Sequence, residues 1–254
     1  MGVLAPYLQS VARIIFGFLL LRHGMEQVLA YPEVSHAPRV SFEGILELIA
    51  FAAGLLIILG LYTRQVSLVL AMLYFILFVL GPLQIGPFTH RNGGDPILLN
   101  AFFFLYLSVA GGGAWSADRW RGAASIDKRW EPIALGVLRI AAACLFLVHG
   151  LEKIFGVGGG RIDRDIMTIR GFAGWLEIVG GPLFALGWFT RPVAFILSGE
   201  MAVAYFRSWA PRGFWRSFEQ AGMEASILFC FLFLFFWAAG PGAWSVDAWR
   251  GRKR

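Results

Sequence analysis

Eight apolar runs, each close to the length one helix needs to cross a hydrocarbon core, divide this chain of 254 residues and constrain its fold more than any other feature. They lie at about 7–29, 43–62, 65–81, 96–110, 133–155, 171–190, 192–207 and 223–239. The runs are continuous in Leu, Ile, Phe, Val, Ala and Gly. They lack the period-two alternation of a transmembrane barrel. Backbone groups in lipid must be satisfied within their own segment, so the runs predict helices. Composition agrees, with 58% hydrophobic, 16% aromatic and only 15% charged residues and a mean hydropathy of +0.67. A soluble domain is excluded. Pro6, Pro132 and Pro192 stand where a helix can open on a residue without an N–H, and Gly111 to Gly113 and Gly156 to Gly160 mark ends.

The runs also repeat. At an offset of 126, Pro6, Arg13, His23, Gly24 and Glu26 match Pro132, Arg139, His149, Gly150 and Glu152. At 127, Gly44, Gly54, Gly60, Thr63 and Arg64 match Gly171, Gly181, Gly187, Thr190 and Arg191. At 129, Asp95 corresponds to Glu224, and GGGAWSADRWRG from Gly111 matches GPGAWSVDAWRG from Gly240. The expected architecture is therefore an all-α integral membrane protein of eight transmembrane helices in two parallel four-helix-bundle repeats. The first spans residues 1–122, a linker covers 123–131, and the second spans 132–254. Four spans per repeat return the chain to its starting side, which makes the repeats parallel.

The net charge of +6 resides mainly between the apolar runs, where it serves orientation and anionic headgroups; nucleic acid is not read as a partner. A slight excess of the 22 Lys and Arg on the side of the termini predicts cytoplasmic termini in a bacterial inner membrane. The amino terminus lacks a basic n-region and a cleavage site, so the first span is expected to be retained. Cys144 and Cys230 lie inside apolar runs and read as packing residues. Trp115, Trp120, Trp244 and Trp249 follow the fourth and eighth runs as interfacial anchors.

Ionisable residues inside the runs are the functional candidates, since a charge at the bilayer centre costs about 2.5–3.5 kcal/mol on insertion scales. His23 and Glu26 share one face near the end of the first helix, as His149 and Glu152 do on the fifth, followed by Lys153. Glu47, Glu177, Asp95 and Glu224 open neighbouring helices on that same side. This pattern predicts a His/Glu pocket in each half, with His149, Glu152 and Glu177 as acid–base groups. Lys153, Glu200, Glu224, His23, Glu26, Glu47 and Asp95 would bind the ligand. End-capping and snorkelling are the competing account of the same residues. Glu47 is shifted by one turn from Glu177, and the repeat position of Glu200 is Leu73, so the second half carries the fuller set. Arg13 and Arg139 sit a turn or more inside the opposite surface, as structural anchors or lipid-phosphate ligands. No metal site is read.

LVHGLEKIFG from Leu147, GFAGWLEIVGGPLFALGWFTRP from Gly171, GEMAVAYF from Gly199 and the GMEASILFCF ending resemble the DoxX family of small four-helix membrane proteins. RHGMEQ from Arg22, LGLYTR from Leu59, NGGD from Asn92 and AGGGAWSAD from Ala110 resemble it more loosely. That resemblance implies a redox-associated membrane component, since relatives are similar to thiosulfate:quinone oxidoreductase subunits. The wider superfamily also holds non-enzymatic cargo receptors. Two readings follow. In one, the chain is a quinone-linked membrane oxidoreductase subunit, with quinone as substrate, protons relayed by the His/Glu pocket, and a redox partner supplying electrons the sequence has no carrier for. In the other it is a non-enzymatic binding, transport or scaffold protein for a lipid, anion or partner protein.

Overall fold

The computed structural model describes residues 2–29, 41–123, 129–212 and 221–251. Long helices follow the apolar runs: α1 (Ala5–Leu29), α2 (Phe42–Leu59), α3 (Thr63–Leu80), α4 (Gly94–Ala110), α5 (Glu131–Phe155), α6 (Ile169–Leu186), α7 (Thr190–Ser208) and α8 (Ala221–Ala239). Among the described residues there is no strand. Five helical stretches are long and apolar enough to cross a membrane, namely α2, Thr63–Ile85, α5, α6 and Gly222–Ala239. Lys128, Arg252, Lys253 and Arg254, counted above for orientation, and most of the expected linker lie outside the described residues, as does the side chain of Glu26.

Consecutive helices pair tightly as α1 with α2, α3 with α4, α5 with α6 and α7 with α8. Weaker contacts join α2 to α3, α4 to α5, α6 to α7 and α8 back to α1, closing a ring in chain order, and α4 also touches α8 across it. The apolar window of α8 is 67% buried, whereas that of Thr63–Ile85 is 22% buried. Leu68, Val69, Met72 and Ile76 of α3 accordingly face outward, as do Phe195 and Ile196 of α7, as expected of helices whose outer face meets lipid. Cys144 is exposed on the outer surface, so it does not pack in the core. The core is aromatic. Phe16 of α1 lies 3.9 Å from Phe103 of α4 between ring centroids, Phe146 of α5 lies 4.9 Å from Phe233 of α8, and Tyr106 and Phe235 join α4 to α8 at 5.4 Å.

Small residues set the two tightest crossings. A Cβ at Gly24 would collide with the Glu47 carbonyl, and one at Gly54 would lie 2.6 Å from the Leu21 backbone nitrogen, so α1 and α2 touch backbone to backbone. On the other side of the ring a Cβ at Gly150 would come within 2.9 Å of the Glu177 Cβ, and one at Gly174 within 2.9 Å of the Lys153 Cβ. Without a hydrophobic drive between helices in lipid, such close approach is what holds the pairs.

At the end of the bundle holding the described terminal segments, two buried arginines bind the polypeptide itself. Arg13 donates from Nε to Gly112 O at 2.8 Å, from Nη1 to the Ile57 carbonyl and to Ile58 O at 2.8 Å, and from Nη2 to the Trp115 carbonyl. Arg139 donates to Ala185 O at 3.3 Å, to the Pro241 carbonyl, to Ala243 O at 3.1 Å and to Trp244 O at 2.9 Å. Both side chains belong to residues with 0% exposure. The carbonyls that accept from them lie at the ends of α2 and α6 and in the glycine-rich turns after α4 and α8. Asp118 accepts from the Tyr62 and Thr63 N–H groups at 2.8 and 2.7 Å, and Asp247 from those of Phe189 and Thr190 at 3.0 and 2.8 Å, satisfying the starts of α3 and α7. Gly60 and Gly187 stand at φ +67° and +64°, where a side chain would be strained and would strike Ser116 or Ser245. Trp115, Trp120, Trp244 and Trp249 are exposed at this end.

Candidate functional site

The polar residues of the spans gather at the opposite end. The last turns of α5 carry His149, Glu152 and Lys153 on the stretch that crosses α6 at Gly150 and Gly174, which brings Lys153 Nζ to 2.5 Å from Glu177 Oε1. Glu177 is 1% exposed, and its Oε2 accepts no hydrogen bond among the described residues. His149 Nε2 lies 2.7 Å from Asp95 Oδ2, in the first turn of α4. Asp95 is itself buried at 2%, and its position at a helix N-terminus offsets the burial of its charge. These groups share a cavity of about 240 Å³, with Met201, Trp209 and Phe229 among its apolar walls. Glu200 lies within electrostatic reach of Glu177 and Lys153, its two carboxylate oxygens buried and without a hydrogen-bond donor among the described residues.

A second cavity, about 330 Å³, lies between α1, α2, α3, α4 and α8. His23 Nε2 is 3.3 Å from Glu224 Oε2 here, and Glu47 also lines it. Leucine and isoleucine, among them Leu20, Leu46, Leu70 and Ile97, make up much of its wall. The two cavities share Gly93 and Pro96, so the start of α4 is the partition between them.

The sequence reading grouped Asp95 with His23 and Glu47, and Glu224 with His149 and Glu177, one self-contained pocket per half. The structure corrects this: the two acids are exchanged. Asp95 of α4 serves the cavity of α5 and α6, and Glu224 of α8 serves that of α1 and α2. The cause is the ring order. The start of α4 lies beside the end of α5, and the start of α8 beside the end of α1, because those helices are antiparallel neighbours. Arg13 and Arg139 lie at the far end of their helices from both cavities and have their donors on backbone carbonyls, with Asp118 and Asp247 accepting from backbone N–H groups.

Two contributors escaped the sequence reading. His90, in a one-turn helix (Thr89–Asn92) between α3 and α4, has a side chain only 3% exposed and places Nε2 3.8 Å from Glu152 Oε2, with its ring centroid 5.6 Å from that of His149. Arg170, opening α6, places Nη2 3.6 Å from Glu152 Oε1. The segment after α5 closes over them: Arg91 donates to the Gly158 carbonyl, and Gly160 packs its backbone on the Glu152 carboxyl. The signal for His90 was a histidine two residues before the NGGD motif, in a segment returning to the side of His149.

Burial lowers the His90 pKa below its ordinary value; His149 and Arg91 lower it further, against the opposing pull of Glu152 and Asp95. The folded protein thus prefers the neutral ring. The unfolded chain takes up its proton first as pH falls through about 6.5, so stability is complete above that pH and is lost below it, towards the depressed folded value. Thermal melts between pH 7 and pH 5 are expected to fall less steeply for His90→Gln than for the wild type; parallel curves would show that His90 does not supply the acid sensitivity.

The family model described as DoxX matches residues 134–208, a stretch holding His149, Glu152, Lys153, Glu177 and Glu200. An uncharacterized protein of Haemophilus influenzae is 40% identical over 126 residues, covering 47% of this chain and 92% of that protein. No solved structure matches.

Proposed function

The chain belongs to the DoxX family of membrane proteins, and from that premise we propose that it is a quinone-linked subunit whose ligand headgroup binds in the cavity of α5 and α6. The observation carrying this reading is the pair of ion contacts, His149–Asp95 at 2.7 Å and Lys153–Glu177 at 2.5 Å, on one cavity of about 240 Å³. A quinone carbonyl needs hydrogen-bond donors, and an ammonium engaged once by Glu177 keeps further N–H groups for it. Reduction of a quinone to a quinol takes up two electrons and two protons. The imidazole–carboxylate pair is suited to passing the protons, while the electrons come from a partner protein.

The finer architecture belongs to the same proposal: eight transmembrane spans, two parallel repeats, cytoplasmic termini and a bacterial inner membrane. Its support is the recurrence of the arginine and aspartate contacts at Arg13 and Asp118 and again at Arg139 and Asp247. A relative matched over 92% of its length by 47% of this chain also favours a duplication.

Binding of decylubiquinone to the purified protein in nanodiscs tests the site. His149→Ala and Glu177→Gln are each expected to weaken it at least about tenfold, the worth of one good hydrogen bond to a charged group, and His23→Ala to change it less than about twofold. Folded variants that bind as the wild type does would sink the quinone reading and favour a lipid or anion scaffold.

A further inference from the structure

The cavity beside α1 and α2 differs from its counterpart in one respect that sequence matching does not reveal: beside the His23 ring and the Tyr74 hydroxyl it holds an amide oxygen that no donor reaches among the described residues. Asn100 of α4 is 2% exposed, and its Nδ2 donates to Pro96 O at 2.8 Å. A backbone carbonyl can only accept, so this contact fixes the amide with its nitrogen toward Pro96 and its oxygen the other way. Asn100 lines the cavity, and its Oδ1 is buried without a hydrogen-bond partner. Such an atom is destabilising until a donor reaches it. Glu224, whose Oε2 lies 3.3 Å from His23 Nε2, and Glu47 add carboxylates to the same cavity, and no Lys or Arg lines it among the described residues. In the other cavity the chain supplies its own ammonium, Lys153, to Glu177; the position matching Lys153 at the offset of 126 is Gln27. Much of the remaining wall is hydrocarbon, from Leu20, Leu46, Leu70, Leu73, Leu77 and Ile97.

We infer that this cavity, separate from the proposed quinone site, binds a lipophilic amine: an ammonium group donating to Asn100 Oδ1 and the Glu224 carboxylate, with its hydrocarbon part against the leucine wall. The volume of about 330 Å³ is within the usual range for small-ligand sites, roughly 300–1,000 Å³. A neutral hydrocarbon would leave Asn100 Oδ1 bare, and an anion would meet Glu224 with like charge.

Three chain-matched probes separate these cases in wild-type protein reconstituted into nanodiscs, with empty nanodiscs subtracted. Dodecylamine is expected to bind saturably, about tenfold or more tighter than dodecyltrimethylammonium, which keeps charge and chain but has no N–H. Dodecanoate is expected not to saturate. Asn100→Leu removes the acceptor at similar size and should weaken dodecylamine about tenfold, and Leu73→Trp, which fills the cavity, should abolish its binding. Equal binding of the trimethylammonium probe, saturable binding of dodecanoate, or undiminished dodecylamine binding by a folded Leu73→Trp protein would each overturn the assignment. If Asn100→Leu does not fold, the three probes on the wild type decide alone. Neither Asn100 nor Leu73 borders the α5–α6 cavity, which shares Gly93 and Pro96 with this one, so failure here leaves the quinone test intact.

Discussion

Lys153→Met is expected to destabilise the protein by about 3 kcal/mol, since it removes one partner of a buried ion pair and leaves the other without compensation. The stranded group is Glu177, 1% exposed and already carrying one oxygen without a donor among the described residues. Replacing both partners by apolar residues of similar volume removes the charge that needs an answer. Lys153→Met combined with Glu177→Met should therefore recover most of the loss. Unfolding transitions in mixed micelles, read for the wild type, both single variants and the double variant, give the coupling. A double variant as unstable as the sum of the singles would mean that the two side chains do not act on one another.

Arg139→Leu is expected to cost more than about 3 kcal/mol, because each carbonyl left buried and unsatisfied costs about 1–3 kcal/mol. Four carbonyls depend on this side chain, those of Ala185, Pro241, Ala243 and Trp244. Arg139→Lys should restore less than half of the lost stability, because an ammonium is a point donor and cannot span a planar set of acceptors. The same pair of substitutions at Arg13 should cost less, because the Gly112 and Ile57 carbonyls keep the Ser10 hydroxyl and the Gly60 N–H, leaving those of Ile58 and Trp115 exposed to the loss. The measurement is thermal inactivation of the detergent-purified variants. Full rescue by lysine would show that charge alone, without the fork geometry, holds the turns.

Helix positions were legible because lipid crossing demands unbroken apolar length, a property of consecutive residues. The run from 7 to 29 became Ala5–Leu29, and that from 223 to 239 became Ala221–Ala239. Depth was legible for the same reason: counting along antiparallel helices put His149, Glu177 and Asp95 at one end. Lateral neighbours were not. Hydropathy is the same whichever helix lies alongside, and helices in lipid gain no apolar burial by choosing one partner over another. The choice was made by close contacts such as Gly150 on Glu177 and by the aromatic contacts of α4 and α8. The exchange of Asp95 and Glu224 follows from that choice, so residue periodicity did not reveal it. His90 was missed for a different reason. It stands outside the apolar runs, where intramembrane charge is no guide. Arg13 and Arg139 were visible as misplaced charges, but not their acceptors, since backbone carbonyls leave no mark in a sequence.

The exchanged acids also bear on what a joined chain can do that a pair of identical chains cannot. Were two copies of one four-helix unit to lend each other a carboxylate in this way, every substitution would appear twice, once in each cavity, and both would stay alike by symmetry. In a single polypeptide the lender and the borrower are encoded separately. Asp95 pairs with His149 of the other half, and Glu224 with His23. Each cavity can thus be altered from either half of the gene without copying the alteration into the other, so one protein can keep a chamber with a lysine–glutamate pair beside one that no lysine lines among the described residues.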